Sequence, residues 1–104
     1  MNIQINTDKH VEGGENLNNH IKELLKEKFN RFSDNITRVE VHLSDANGDK
    51  GGAADKRCFI EVRPEKINPL TVTEHADTIH NAIEGASKKM VKSLDSVFGK
   101  ITQH

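Results

Sequence analysis

The chain has 104 residues, of which 34% are hydrophobic and 30% are charged, and 15 basic side chains against 16 acidic ones give a formal net charge of −1. This length predicts one domain over residues 1–104, and no apolar run approaches the roughly 20 residues of a membrane span. The balanced charge excludes a chain that is basic throughout, so binding to a polyanion would require local clusters of cations.

The amino terminus and the cysteine content indicate the compartment. The first ten residues, MNIQINTDKH, lack the basic start and apolar stretch of a secretory signal. Cys58 is the only cysteine, which excludes an intrachain disulfide and agrees with a reducing environment. We therefore expect a cytoplasmic protein that does not associate with membranes.

The first third of the chain predicts a strand and then a helix. Ile3 and Ile5 alternate with polar residues, as in a short strand, and two glycines in the segment 11–14 mark a break. From about Glu15 to Phe32, apolar residues recur at steps of three and four, which predicts one apolar stripe on a helix. The stripe consists of Leu17, Ile21, Leu24, Leu25, Phe29 and Phe32.

Three further strands are predicted in the middle of the chain. Apolar and polar residues alternate over 38–43 and again over 57–63, the period of a half-buried strand. The segment between them, 45–55, contains three glycines and no large apolar side chain, which predicts a surface loop. Residues 64–69 begin and end with proline and predict a turn, after which 70–75 give a fourth strand.

A long helix is the last predicted element. Asp77 is the expected N-cap, because its carboxylate can accept from the free N–H groups that open a helix. Behind it, apolar residues again recur at steps of three and four: Ile79, Ile83, Ala86, Met90, Leu94, Phe98 and Ile101. The element order β-α-β-β-β-α predicts an α+β two-layer sandwich, in which both helices cover one face of a four-stranded sheet. Strand one should run parallel to strand two, and strands three and four should be antiparallel.

Two clusters of basic residues stand out against the neutral total. Residues 88–104 carry four lysines and one carboxylate, a formal +3, and residues 22–38 carry five basic residues and three carboxylates, a formal +2. If the helices lie side by side, the clusters could form one strip that contacts phosphates. The alternative is that these charges form ordinary helix-surface pairs and complement the helix dipole.

The sheet face opposite the helices is a second candidate surface. The side chains expected there are Arg38, His42, Arg57, Phe59, Arg63 and His75. An aromatic ring among basic residues can stack a nucleobase. Glu40 and Glu61 interrupt this set, however, and a solvated face with a single exposed phenylalanine is the favoured interpretation.

No pattern in the sequence predicts catalysis or a cofactor. Cys58 is expected to face the core without a neighbouring base, so it lacks the activation that a nucleophile needs. His75 and His80 lie beside carboxylates but do not show the spacing of metal ligands. The segment 49–52, DKGG, is not followed by the Lys-Ser/Thr of a phosphate loop. We expect no enzyme activity, no metal, no cofactor and no small-molecule substrate.

The element order and the last helix together resemble one known family. The run Ala-Asp-Thr-Ile-His-Asn-Ala-Ile-Glu at 76–84, and the basic-apolar repeat Lys-Met-Val-Lys-Ser-Leu at 89–94, are similar to the hibernation-promoting factor family. Its members are also called ribosome-associated inhibitors or ribosomal subunit interface proteins. The resemblance covers essentially the whole chain. Two basic positions of that family's last helix fall on Ser96 and on 97–98 here.

The resemblance implies a binder of the small ribosomal subunit and its rRNA near the decoding site. Such proteins silence idle ribosomes in stress by steric occlusion, without chemistry, and a chain of this short form is expected to be monomeric off the ribosome. Lys89, Lys92 and Lys100 match basic positions of the family's last helix. The first-helix residues do not align one for one with the family, and the further rRNA contacts expected are Lys22, Lys26, Arg31 and Lys88. A second hypothesis keeps the fold but replaces ribosome binding with a protein partner on the open face around Phe59.

Overall fold

The predicted order of elements is confirmed in the computed structural model, which describes residues 1–8, 11, 14–45 and 55–102, without the side chains of 100–102. The elements are β1 (Asn2–Thr7), α1 (Glu15–Lys28), a 3₁₀ helix (Asn30–Asn35), β2 (Ile36–Asp45), β3 (Lys56–Pro64), β4 (Leu70–Ala76) and α2 (Ile79–Thr102). Most of the predicted loop, residues 46–54, lies outside the described residues. Neither helix in the described part is long and apolar enough to cross a membrane.

The four strands form one sheet in the order β1-β2-β3-β4, with β1 parallel to β2 and the other two pairs antiparallel, as predicted. The register places Ile5, Val41, Ile60 and Val72 in one row across all four strands. Because side chains of paired residues point to the same face of a sheet, this row and its neighbours give the sheet one apolar face.

Both helices cover that apolar face, which confirms the predicted α+β sandwich. Val41 and Ile60 of the sheet are completely buried, as are Leu25 of α1 and Met90 of α2. Phe29 follows α1 and is also completely buried. These side chains belong to one continuous hydrophobic core between the sheet and the helices, so the two helices must lie side by side.

The first helix ends earlier than the apolar stripe predicted. α1 stops at Lys28, and a 3₁₀ helix continues to Asn35 instead of an α-helix to Phe32. In a 3₁₀ helix, side chains three residues apart eclipse one another. The tighter turn therefore directs both Phe29 and Phe32 into the core, where they are 0% and 5% exposed.

The predicted cap of the last helix is off by one residue. α2 begins at Ile79, and the backbone N–H of Asn81 donates to Oγ1 of Thr78 at 3.0 Å, so Thr78 is the N-cap. Asp77 instead accepts from the Asn81 side-chain amide at 3.0 Å. An N-cap must precede the first helical residue to reach the third N–H, and here only Thr78 occupies that position.

An ion pair joins α2 to the edge strand β4. Glu74 lies on the helix-covered side of β4, and Gly85 of α2 leaves space for its carboxylate, because a Cβ there would lie 2.7 Å from Cγ of Glu74. Nζ of Lys89 donates to Oε1 of Glu74 at 3.1 Å and to the Thr73 carbonyl at 2.9 Å. Lys89 is thereby held against the sheet.

The two glycines of α2 should respond differently to alanine. Gly99→Ala should raise the free energy of unfolding by up to about 1 kcal/mol, because alanine favours the helix and a Cβ there meets nothing within 4 Å. Gly85→Ala should give no such gain, because the new methyl group displaces Glu74 from Lys89. In a Glu74→Ala background, Gly85→Ala should again stabilise by about 1 kcal/mol. Denaturant unfolding of the four variants measures the difference, and an equal gain from both glycines in the native background would contradict it.

Candidate RNA-binding surface

A groove lined by cations runs between the end of α1 and the middle of α2. Lys28 closes α1, Arg31 follows in the 3₁₀ helix, and Lys88 and Lys92 stand one turn apart on α2, with Val91 between them. The groove has a volume of about 410 Å³. We call it the basic groove. It brings together three predicted contact residues, Arg31, Lys88 and Lys92, and also Lys28, which was not among the predicted contacts.

Arg31 is the fixed member of the basic groove. Its guanidinium lies 2.6 Å from Oδ1 of Asp95 on α2, and its central carbon lies 4.5 Å from the centre of the Phe32 ring. The planar guanidinium of arginine binds carboxylates through its N–H groups and stacks on aromatic rings through its face, so both contacts orient the Arg31 side chain. The side chain remains 61% exposed, so Arg31 is oriented while still accessible to a ligand.

The lysines of α2 are the unneutralised members. Lys88 and Lys92 are exposed and form no ion pair with any residue that the structure describes. Lys28 lies 4.0 Å from Glu84, at the limit of an ion pair. Four cations against the two carboxylates Glu84 and Asp95 leave the groove with a formal +2, although the whole chain is −1. Like charges at Lys88 and Lys92 repel, and an anion placed between them would relieve this repulsion.

The other predicted contact residues lie elsewhere. At about 100° per residue, Lys22 and Lys26 stand roughly 120° and 160° around the α1 axis from Lys28, which faces α2. They therefore lie on the opposite flank of α1. Lys89 points to β4, where Glu74 and the Thr73 carbonyl hold it. The side chain of Lys100 lies outside the described residues.

Lys28 could have been found from spacing. It stands three residues before Arg31, and residues three apart share a face, so the face of Arg31 includes Lys28 but not Lys26. The sequence alone did not reveal which flank of α1 would meet α2. The buried core fixes that orientation, and the contacts of Lys28 with Glu84 and of Arg31 with Asp95 show which flank of α1 meets α2.

The open face of the sheet is largely neutralised. Arg38 donates to Gln4 at 2.6 Å and to Glu40 at 2.5 Å, and Arg63 donates to Glu61 at 2.9 Å, a hydrogen bond that raises the pKa of Arg63. These pairs leave little free charge on the strands. Around Phe59, the ring of His42 and the guanidinium of Arg57 each lie 5.8 Å from the centre of the phenyl ring.

At the end of the sheet from which both helices start, two polar arrangements remain. The rings of His20 on α1 and His80 on α2 lie 5.6 Å apart. Nζ of Lys56 lies 3.1 Å from both Asp45 and Asp55. The hydrogen bond to Asp45, and after it the one to Asp55, raises the pKa of Lys56. No group of three His, Cys, Asp or Glu side chains among the described residues is arranged to hold a metal ion.

The comparisons with known proteins bear on the fold as a whole. The model of the family described as "Sigma 54 modulation protein / S30EA ribosomal protein" matches residues 3–102, nearly the entire chain. The chain belongs to this family. A comparison with curated proteins gave no match.

Solved structures show the same fold. The N-terminal domain of Protein Y from Thermus thermophilus superimposes with a TM-score of 0.75 at 19% identity, over 93% of this chain and 99% of that one. A ribosomal subunit interface protein from Coxiella burnetii gives a TM-score of 0.72 at 16% identity, over 95% of this chain and 99% of that one. At 19% and 16% identity, these two structures show the fold of this chain and nothing further.

The single thiol should be inert in the folded chain. Cys58 is 0% exposed as predicted, and burial raises its pKa from 9.0 to about 12. Because the thiolate is the reactive form, Cys58 should resist alkylation by iodoacetamide at pH 8.5 in the native protein and react within minutes in 6 M guanidinium chloride. Mass spectrometry measures the modified fraction. Rapid labelling without denaturant would mean that β3 opens far more readily than its buried position indicates.

Proposed function

We propose that this chain binds the rRNA of the small ribosomal subunit near the decoding site and silences idle ribosomes by occupying that space. The whole of 1–104 would act as one cytoplasmic RNA-binding domain. The proposal assigns the main phosphate contacts to the basic groove, through Arg31, Lys88, Lys92 and Lys28. Lys22, Lys26, Lys89 and Lys100 remain in the proposal as outlying contacts.

The observation that carries the proposal is the convergence of cations from three elements, α1, the 3₁₀ helix and α2, in a chain of net −1. Lys28 and Arg31 approach from the α1 side, and Lys88 and Lys92 from α2, around the single aliphatic side chain of Val91. A surface of this kind attracts phosphates through the release of bound counterions. Membership of a family described in part as a ribosomal protein supports rRNA as the polyanion.

The geometry favours recognition of RNA backbone and shape. Ammonium groups such as those of Lys88 and Lys92 act as point charges, and contacts to phosphate fix the position of a protein without reading sequence. The deep major groove of an RNA helix admits no side chains. Proteins therefore contact the phosphates of the helix and the ribose hydroxyls in its shallow minor groove. A small domain held in this way would silence the ribosome by exclusion alone, without a reaction and without a cofactor.

The neutralised open face favours a second candidate, a module that binds a protein partner. There, Arg38 and Arg63 are paired with glutamates, and Phe59 is the aromatic side chain among the remaining polar groups. Binding through that face would depend little on salt, whereas binding through the basic groove would weaken steeply as salt rises. The two candidates can therefore be separated by experiment.

Charge reversal in the basic groove should abolish ribosome binding. Four phosphate contacts predict a slope of log affinity against log salt of about −3, and Lys88→Glu with Lys92→Glu should remove both the unneutralised cations and most of that slope. The matched control is Arg57→Glu with Lys66→Glu, which changes the net charge equally but lies on the open face and in the turn after β3. Co-sedimentation with small subunits from 50 to 300 mM salt measures both variants.

The control variant should bind as the native chain does. If the groove variant still pellets with small subunits at equal salt, the basic groove is not the contact surface. If only the Arg57/Lys66 variant loses binding, the open face is the contact surface for the small subunit. If the native chain does not pellet with small subunits at any salt concentration, the second candidate replaces the first.

A further inference from the structure

Arg31 borders two concavities. On one side lies the basic groove, and on the other lies a hollow of about 160 Å³ at the ends of the 3₁₀ helix and of α2. We call it the end cavity, and its lining consists of Arg31, Phe32, Asn35, Asp95, Phe98 and Gly99. A side chain shared by a phosphate-attracting groove and a partly aromatic cavity can contact two parts of one nucleotide.

The Arg31 guanidinium is a preformed stacking surface. Asp95 binds it at 2.6 Å, and Phe32 lies against it at 4.5 Å, so the orientation of its plane is set before any ligand arrives. The Phe32 ring is itself fixed, because it is 5% exposed and lies 6.1 Å from the Phe98 ring. Unpaired bases in RNA stack on arginine planes as they do on aromatic rings. Because the Arg31 side chain is 61% exposed, a base can reach its guanidinium.

The size of the end cavity matches a single six-membered ring. An engineered cavity of about 150 Å³ holds one benzene molecule, and the end cavity is about 160 Å³. A pyrimidine fits its one six-membered ring into this volume, whereas the second, fused ring of a purine would project from the hollow, which is open to solvent on one side. Stacking on Arg31 alone would favour purines, because their rings are larger, whereas the volume of the end cavity favours pyrimidines. The two effects therefore predict opposite base preferences.

The rim of the end cavity offers polar partners for a base edge. Asn35 is exposed at the end of the 3₁₀ helix, and its amide supplies both donors and an acceptor. The backbone carbonyl of Asn35 is already used by Glu65 at 2.9 Å, so a substitution of the side chain leaves that anchor in place. Because the Asn35 side chain is exposed, its amide can form hydrogen bonds with the Watson–Crick edge of a pyrimidine in the end cavity.

We propose that Arg31 and the end cavity hold the base of an unpaired pyrimidine ribonucleotide whose phosphates lie in the basic groove. The base stacks on the exposed face of the Arg31 guanidinium, Asn35 bonds its edge, and Lys28, Lys88 and Lys92 attract the adjoining phosphates. This inference rests on the proposed RNA binding. It adds that the chain selects a single-stranded or bulged pyrimidine in addition to RNA shape.

Short oligonucleotides test the preference directly. Fluorescence anisotropy at fixed salt should show that hexamers of uridylate or cytidylate bind about tenfold more tightly than a hexamer of adenylate, since removing one stacked base changes affinity by roughly fivefold to a hundredfold. An RNA duplex, which offers phosphates and no free base, gives the backbone contribution alone. Equal or tighter binding of the adenylate hexamer would overturn the assignment of a pyrimidine.

Three substitutions separate stacking from charge. Arg31→Lys keeps the charge but removes the plane, so the variant should lose the pyrimidine preference, measured as the ratio of its own affinities for the hexamers. Asn35→Ala should reduce the preference without changing duplex binding. Asp95→Asn removes a negative charge and releases the guanidinium, so it should strengthen duplex binding while weakening the preference for pyrimidines. If Asp95→Asn strengthens binding to all RNAs equally, or if Arg31→Lys keeps the preference, Arg31 acts as a charge only and the inference is wrong.

These measurements distinguish failure of the proposed base site from failure of the proposed RNA binding. A chain that binds duplex and small subunits without distinguishing the hexamers retains the proposed function and loses only the base site. A chain that binds no RNA in a salt-dependent manner loses both. Far-ultraviolet circular dichroism of each variant establishes that a lost preference does not reflect unfolding.

Discussion

Both helices bury their apolar sides on the same face of one sheet, and the rest of the molecule follows from this constraint. With Leu25, Phe29 and Met90 completely buried, neither α1 nor α2 can turn about its axis without exposing core residues to water, which costs about 25 cal/mol per Å² of apolar surface. The outer flanks of the helices therefore meet along a fixed seam. The side chains at that seam are set by the register of the core, and they include the cations of the basic groove.

The constraint also explains how an almost neutral chain produces a positively charged surface. The acidic side chains are not spread evenly over the fold. Glu40 and Glu61 pair with arginines on the open face of the sheet, and Asp45 and Asp55 surround Lys56 at the edge from which the helices start. With their three cations these four carboxylates sum to −1, and all side chains outside the basic groove and its two paired carboxylates sum to −3, which offsets the +2 at the seam. Total charge consequently says little about the local field.

The fold could be predicted from sequence because its signals are local and repeated. Alternation in the strands and steps of three and four in the helices each depend on many residues, so one misplaced residue, such as Asp77 instead of Thr78 as the cap, leaves the architecture unchanged. The basic surface was predictable only in part. Both clusters of lysines were visible, and spacing groups Lys28 with Arg31, but it does not show which flank of α1 meets α2. Nothing near Lys89 in sequence marked Glu74, fifteen residues earlier, as its partner. Pairing across elements depends on tertiary packing.

The contrast between Arg31 and the two lysines of α2 has a kinetic consequence. Long, free side chains such as Lys88 and Lys92 project a field into solvent, and charge of that kind governs how often a polyanion is captured. They also lose rotamer entropy when they are immobilised, up to about 2 kcal/mol for each side chain. Arg31 is already ordered by Asp95 and Phe32 and has less entropy left to lose. In any encounter with RNA, the lysines would determine the speed of association, and the arginine would determine the residence time of the complex.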